Sequence, residues 1–531
     1  MDAVGRAAME GEEEEMKELL KPLNIFIPIF AFCGFFGLFM SYRAPLGDFG
    51  NYYYGSKIAL QGHIDEVYDV VAFNAKVEEM GGKGLFLDHN TVTPQSVMLY
   101  LPFTWISNPL TAKMLFNIAG LIFFCVVLNR FIRRNNVELT WPLMLVILAV
   151  QIPVFMNLYF GQTYLFITGF LLVSIMQAEQ RPWLSGLLLA MAISLKISPA
   201  IFLLWFITQR KYKVVYWTVA VSAVFLGLVF LIPSAPSQVA GFVSYSLPRM
   251  MDGFVNDPFT SSFQSVIVFL RKLMLPDTIL NPHPLINGSE RVLQLINIFV
   301  FAVLGVLLVK AWKENLDWRR KFVLLFLFVF ITSGYTSTYS LILLLPFVVI
   351  GNRGTDWIRA SLYALVLLLP PRIFDGHSPF LEEYKLWIFL ILFIWESRVK
   401  SGFKRLEKMQ VIVGLFVLGI TMLKIAHRPE QIPLSYYEPI AVKYDYVMSA
   451  YVENKEIHYL AYTEYGFQKF ALPYEGESYS DGNGVVHLKQ VECRIIGERE
   501  NDYLVLSDYH RGPGLFHLYT ISKSDFNALA Q

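Results

Sequence analysis

Apolar residues along this chain fall in blocks rather than in alternating stripes. The blocks are Ile25–Met40, Leu110–Leu128, Leu143–Met156, Tyr164–Met176, Val214–Ile232, Val292–Val309, Phe322–Ile331, Leu341–Ile350 and Val411–Leu423. A bilayer core about 30 Å thick is crossed by about 20 helical residues, or fewer where neighbouring helices or a thinned bilayer cover the ends. Several blocks reach that length, so the pattern predicts an all-α polytopic membrane protein. After His427 the pattern changes. IHYLAYTEY, GVVHLKQVECRII and DYLVLSD are short β-prone runs separated by EGESYSDGNG and HRGPG, which predicts a small, mostly β unit.

Composition supports the block reading. Hydrophobic residues make up 55% of the chain and charged residues only 16%, against about 25% charged in a soluble domain. An acidic run, Glu12–Glu15, precedes the first block, so no cleavable signal peptide is expected. Cys33 and Cys125 lie inside apolar blocks and Cys493 lies in the tail; no disulfide framework or cysteine metal site is readable from them. The net charge of +1 carries little, because the basic residues matter by position.

Short loops rich in Lys and Arg mark the cytoplasmic side. These are Arg130/Arg133/Arg134, Gln180/Arg181, Arg210/Lys211/Lys213, Lys310–Lys321, Arg353/Arg359 and Arg398–Lys408. With the N-terminus inside, the chain alternates sides correctly until Trp183–Ile207. That stretch is long enough for one tilted span, yet both its ends carry inside-type charge. Its centre reads SLKISPA, and Pro199 cannot donate a backbone hydrogen bond. Two half-length helices that dip in and return resolve the conflict. Phe322–Ile350, interrupted by SGYTSTYS and flanked by Arg319/Arg320/Lys321 and Arg353, reads the same way. Non-helical backbone at membrane depth is tolerated where it lines an enclosed or wet cavity. The count becomes about nine full spans plus two broken hairpins. The domains expected are an acidic cytoplasmic segment (1–23), a transmembrane domain (24–426) with a long exterior loop (42–101), and an exterior β-rich domain (427–531).

A few polar residues stand out against this background. Asp48, in RAPLGDFGNYYYG just after the first span, suits a general base toward a hydroxyl, though on its own it reads more readily as an acidic helix cap. Lys196 sits mid-block at the first break, where a charge marks a functional site or a side chain snorkelling to the interface. Gln162 opens a helix whose free N–H groups favour anions, or simply caps it. Gln264 and Ser265 stand at the entrance of the helix carrying Arg271. His63, Asp65 and Asp69 fit a solvated helix better than a metal site. Walker-type loops, GxSxG and HExxH are absent from the sequence, which argues against a nucleotide-driven pump or a membrane zinc protease.

Taken in order, these residues resemble a known family. DFGNYYYGSKIALQG is similar to the segment that follows the first helix of GT-C glycosyltransferases. FGQTYLFITGFLL, then GLLLAMAISLKISPAIFLLW and QRKYK, resemble the GQ, K-x-x-P and basic runs of glycosyltransferase family 87, the polyprenyl-phosphate-mannose-dependent mannosyltransferases. PFTSSFQSVIVFLRKL and TVTPQSVMLYLPFTWI resemble two further family segments, and the likeness spans roughly Phe26–Pro346. The resemblance implies a GT-C-like fold and an inverting transfer of a hexose, by likeness mannose, from polyprenyl phosphate to an extracytoplasmic glycan or glycolipid. It implies no metal and no further cofactor. Asp48 becomes the general base, outside a plasma or inner membrane. Gln162, Gln264 and Ser265 help line the cavity, and Lys196 supports the broken hairpin or the donor phosphate region. Arg43, Lys57 and Arg249 are exterior basic candidates for the donor phosphate, on position. The chain departs from the family at TSTYSLILLLP, with Tyr339 and Ser340 where histidines are usual, and at Thr163-Tyr164 after GQ; either Tyr339 stands in for the histidine or the chain acts on a different substrate pair. A transporter or flippase of lipid-linked intermediates and a non-catalytic scaffold presenting the β tail are the alternative readings.

Overall fold

In an apolar solvent only a helix satisfies all of a segment's backbone polar groups within the segment itself, so the apolar blocks fold as helices. The computed structural model describes residues 22–397 and 438–530, except 45, 63–66, 69, 83–84, 86, 88, 90–91, 136–139, 232–234, 248–258, 260–261, 277–283, 287, 314–317, 335–336, 347, 349–356, 370–378, 443–446, 464–465, 480–484, 489–490 and 508–516. The last apolar block, Val411–Leu423, lies outside the described residues.

The first half contains α1 (Pro22–Arg43), α2 (Asp48–Leu60), α3 (Val70–Glu79), α4 (Ser96–Thr104), α5 (Pro109–Arg134), α6 (Trp141–Ala149), α7 (Gln151–Phe160), α8 (Tyr164–Gln177) and α9 (Pro182–Leu195). It continues with α10 (Phe202–Thr208), α11 (Tyr212–Val229), α12 (Ala235–Gly241), α13 (Val266–Met274), α14 (Glu290–Lys313), α15 (Trp318–Thr332), α16 (Trp357–Leu368), α17 (Pro379–Glu382) and α18 (Tyr384–Ser397). Among the described residues four helical stretches are long and apolar enough to cross a membrane: Pro109–Arg134, Pro142–Phe160, Tyr212–Val229 and Glu290–Lys313. They turn large apolar side chains outward, as Ile122 and Val126 on α5 and Leu295 and Phe299 on α14 show. In water such faces would be costly. Helices α8, α9 and α16 are apolar but only 12 to 14 residues long, about 18–21 Å at the helical rise. Four of the described helical stretches thus have spanning length, and α8 and α16 are shorter than a full span.

Both interrupted blocks are broken where the sequence placed the breaks. Helix α9 ends at Leu195, Lys196 is extended at φ −149° and ψ 139°, and a 3-10 turn at Ser198–Ile201 leads into α10. The two ends of this segment lie together. Glu179, just before α9, pairs with Lys211, just before α11. Gly186 near the start of α9 abuts Trp217 and Thr218 near the start of α11. The second segment behaves alike: α15 ends at Thr332 and a 3-10 helix, Thr338–Leu344, follows. Arg320 at the start of α15 and Arg359 at the start of α16 both bind Glu396 at the end of α18, at 3.1 and 2.6 Å. Each broken segment thus begins and ends at one level, as charge parity required.

The tail carries β1 (Glu438–Pro439), β2 (Val447–Glu453), β3 (Glu456–Thr463), β4 (Gly466–Pro473), β5 (Glu477–Ser478), β6 (Val485–Leu488), β7 (Val491–Glu498), β8 (Asp502–Ser507) and β9 (His517–Ser522), then α19 (Lys523–Ala530). One sheet has the order β1-β9-β8-β7-β5, with β6 also on β7; the other is β2-β3-β4, and all pairings are antiparallel. Alternation along a strand sends Leu504 and Leu506 to one face and Val505 to the other. The first face packs with Val447, Ile457 and Tyr459 of the second sheet, and the opposite face packs with Ile521 of β9 and Phe526 of α19.

Candidate active site

Two chain crossings create the site. Helix α2 starts after Gly47 and α7 ends at Gly161, both with left-handed backbone, φ 57° and 68°. A Cβ on Gly47 would meet the Phe160 carbonyl oxygen at 3.1 Å, and one on Gly161 would meet the Phe49 Cβ at 2.5 Å. Only glycine combines that backbone with so close an approach. A buried polar knot clamps the same region. Lys113 of α5 donates to the Tyr159 carbonyl at 2.6 Å and the Ser41 carbonyl at 3.4 Å. Asn117, one turn on, donates to Ser41 Oγ at 2.8 Å and to the Leu158 carbonyl at 2.7 Å. Helices α1, α5 and α7 are thereby locked where α2 begins.

At that junction Asp48 is the first residue of α2. The capping position belongs to Gly47, and no side-chain cap bond is made. The Asp48 carboxylate turns instead to Gln162, whose Nε2 donates to Oδ2. The other end of the amide is held too, because Tyr52 Oη donates to Gln162 Oε1 at 3.0 Å. Tyr52 stacks on Tyr100, centroids 4.6 Å apart and planes 2° from parallel. Lys196 Nζ stands 5.7 Å from the Tyr52 ring centroid, in range of a cation–π attraction. Burial pushes the Asp48 carboxyl above its ordinary range, while the Gln162 hydrogen bond and the charges of Lys196 and Lys113 pull it back. A carboxylate held this way is more basic than one in water.

Tyr339 belongs to the same assembly. Its backbone carbonyl accepts from Asn157 Nδ2 at 2.9 Å, and its ring lies 5.5 Å from that of Tyr164 and 6.5 Å from that of Phe160. Beyond Tyr164 a small cavity of about 40 Å³ separates the two broken segments; Ser198, Pro199 and Phe202 line one side, Phe330, Ser333 and Ser340 the other. The segment between α2 and α4 folds over α2. Tyr68 Oη donates to the Val92 carbonyl at 2.8 Å, His89 Nδ1 lies 2.9 Å from the Asn51 carbonyl oxygen, and Thr93 Oγ1 donates to the Ser194 carbonyl beside Lys196. Burial and the Lys196 charge hold His89 down at about 4, so its ring is neutral. A carbonyl accepts only, so the ring proton sits on Nδ1.

Four of the singled-out residues, Asp48, Gln162, Lys196 and Tyr339, therefore converge. Others go elsewhere. Arg43 is exposed, its guanidinium 4.7 Å from the Phe39 ring centroid, and Lys57 Nζ lies 5.5 Å from the Tyr53 ring centroid. Gln264 joins a second cluster: its Nε2 donates to the Glu382 carbonyl at 2.8 Å and its Oε1 accepts from Lys385 N at 2.7 Å. Ser265 begins α13 there, and Lys272 pairs with Glu382 at 2.7 Å and Glu383 at 2.9 Å. Arg249, His63, Asp65 and Asp69 lie outside the described residues. Sequence reasoning passed over Tyr52, Tyr100, Lys113 and His89. Tyr52 was within reach, since a residue four positions after Asp48 shares its helix face. Lys113 satisfies the same charge-in-an-apolar-block criterion that selected Lys196.

The junction thus holds a carboxylate, Asp48, bonded to Gln162 within a chain that has four described helices long and apolar enough to cross a membrane. Residues 91–334 match the family model of glycosyltransferase family 87, so the resemblance read from the motifs holds over that stretch. The chain is also similar to the polyprenol-phosphate-mannose-dependent alpha-(1-2)-phosphatidylinositol mannoside mannosyltransferase of Mycolicibacterium smegmatis, 27% identical over 150 residues. That alignment covers 25% of this chain, and the chain spans about a third (34%) of the relative's length. No solved structure matches the chain. Both matches support a glycosyltransferase, and with the apolar helices they support a membrane protein. Asp48 and Tyr339 lie outside the family-matched range, whereas Tyr100, Lys113, Gln162, Lys196, Gln264 and Ser265 lie inside it.

Proposed function

We propose that this chain is an inverting membrane glycosyltransferase that moves a hexose, mannose by likeness to the relative, from a polyprenyl-phosphate donor to a glycolipid or glycan acceptor. The observation that carries the reading is the Asp48–Gln162–Tyr52 chain of hydrogen bonds at the α2–α7 junction, next to a lysine. A polyprenyl phosphate is an already activated leaving group, so the protein need supply a base, positioning and a cradle for departing charge. Asp48 takes the proton from the acceptor hydroxyl as its oxygen attacks the anomeric carbon from the face opposite the phosphate. The C–O bond to the phosphate breaks, and the phosphate leaves with the electron pair. Lys196 balances the negative charge that Asp48 and the leaving group bring together. Tyr339 and Tyr164 give the sugar an aromatic wall. The reading places the reaction on the exterior side, where the parity of the basic loops puts Asp48.

The test uses purified full-length protein, radiolabelled polyprenyl-phosphate-mannose and a lipid extract as acceptor. Wild type should yield a labelled glycolipid. Asp48→Asn should keep its elution profile and lose transfer by about 10²-fold or more, the scale of a general base. A folded Asp48→Asn protein with full activity would remove Asp48 from the role.

A further inference from the structure

Gln162 faces two groups with opposite demands, and its side chain can satisfy both in one orientation only. An ionised carboxylate accepts hydrogen bonds and cannot donate them, so the NH₂ end of Gln162 must face Asp48. The carbonyl end then faces Tyr52, whose hydroxyl must donate, and the 3.0 Å contact from Tyr52 Oη to Gln162 Oε1 is that bond. Turned over, the amide would set its carbonyl oxygen against the carboxylate. The tyrosine hydroxyl guards against that flip. Its ring cannot drift: Tyr52 is 1% exposed and stacked on Tyr100. It sits one helical turn after Asp48 on α2, so base and anchor move as one piece, while Gln162 comes from the α7–α8 junction.

We propose that Tyr52 is a positioning residue for Asp48. Its hydroxyl fixes the Gln162 amide so that the amide N–H occupies Oδ2, which leaves Oδ1 to receive the acceptor's proton. This inference rests on the general-base reading of Asp48. The groups that bear on that carboxylate are the Gln162 amide, the ammonium groups of Lys196 and Lys113, and the neighbouring rings of Tyr52, Tyr164 and Tyr339. Of these, the Tyr52 ring also faces Lys196. Tyr52→Phe removes the hydroxyl and keeps the ring for Lys196 and Tyr100, so it isolates the orienting bond.

The experiment follows two signals in the full-length protein: the infrared carboxylate band of Asp48 against pH, identified by its loss in Asp48→Asn, and kcat against pH in the mannosyl-transfer assay. An N–H donor stabilises the ionised carboxylate, so weakening it should move the titration upward. In Tyr52→Phe the Asp48 band and the acidic limb of the kcat profile should both move to higher pH, with kcat down about tenfold and the donor KM within about twofold of wild type. Gln162→Leu should do the same or more, and the double variant should be no worse than Gln162→Leu, because Tyr52 acts through the amide. A band and limb unmoved in Tyr52→Phe, or single losses that multiply in the double variant, would overturn the proposal. If Tyr52→Phe does not fold, Gln162→Leu alone decides: an unmoved band means that the amide has no hold on the base. Active Asp48→Asn protein sinks the general-base reading, whereas an inactive Asp48→Asn with an unmoved Tyr52→Phe band sinks only the positioning role.

Discussion

Glu396 is the keystone of the second broken segment, and replacing it is the sharpest test of that geometry. Its side chain is 0% exposed, and it takes Arg359 at 2.6 Å, Arg320 at 3.1 Å and the Tyr363 hydroxyl at 3.1 Å. Glu396→Gln keeps the volume and deletes the charge, which strands two arginines that are 8% and 15% exposed at the side chain. Breaking a buried pair by removing one partner costs about 3–5 kcal/mol, because the charge left behind is uncompensated. With an unfolding entropy of about 2.1 cal/mol/K per residue over about 400 residues, that cost lowers Tm by about 4–6 °C. The assay is a thermal melt of purified protein in one detergent at one concentration. Adding Arg359→Met to Glu396→Gln should recover part of the loss, because a methionine leaves no buried charge. A Glu396→Gln protein melting within about 1 °C of wild type would refute the claim that this triad ties the starts of α15 and α16 to the end of α18.

Two further outcomes follow from the same physics. Burial raises the Glu383 carboxyl to about 7, with Lys272 opposing. A carboxyl whose folded value exceeds its unfolded one favours folding most when protonated. Its contribution is therefore present below about 4.5 and lost as pH rises through about 7; Glu383→Gln should flatten that slope in pH-dependent melts, and an unchanged slope would count against the assignment. Gly47→Ala puts a Cβ on a left-handed residue 3.1 Å from the Phe160 carbonyl oxygen. The backbone alone costs about 1–2 kcal/mol, and displacing Asp48 should cut glycosyl transfer by about 10²-fold; wild-type turnover in Gly47→Ala would show that the approach is not needed.

What the sequence disclosed depended on whether the signal was local. The breaks at Lys196 and near Tyr339 could be read because proline, polar runs and charge parity are properties of short windows. The β strands of the tail were legible for the same reason. The order of the sheets was not, because β1 pairs with β9 across 80 residues and nothing local announces that partner. Span lengths were not legible, because blocks such as Tyr164–Met176 are apolar whether a helix meets lipid or is shielded by neighbours. Asp48 looked at least as much like a helix cap as a base, and only the chain crossing at Gly47 and Gly161 sends its carboxylate to Gln162. Gln264 and Ser265 carried the family's motif yet fold into the Lys272–Glu382–Glu383 cluster, a destination set by α17 and α18, more than 100 residues on.

Two lysines set in apolar blocks meet opposite ends of one problem. An ammonium withdrawn from water is expensive unless something compensates it. Lys113, 0% exposed, spends its donors on the carbonyls of Ser41 and Tyr159, at the unsatisfied C-terminal ends of α1 and α7, where a cation is favoured twice over. Lys196 stays half-buried at the break between α9 and its 3-10 turn, over the Tyr52 ring and within electrostatic reach of Asp48 and His89. The first lysine holds helices together, and the second stands by the Tyr52 ring near Asp48. That difference in destination decides which charge in an apolar block builds the frame and which serves the site, and window-based reading of the sequence cannot make that distinction before the chain crossings are known.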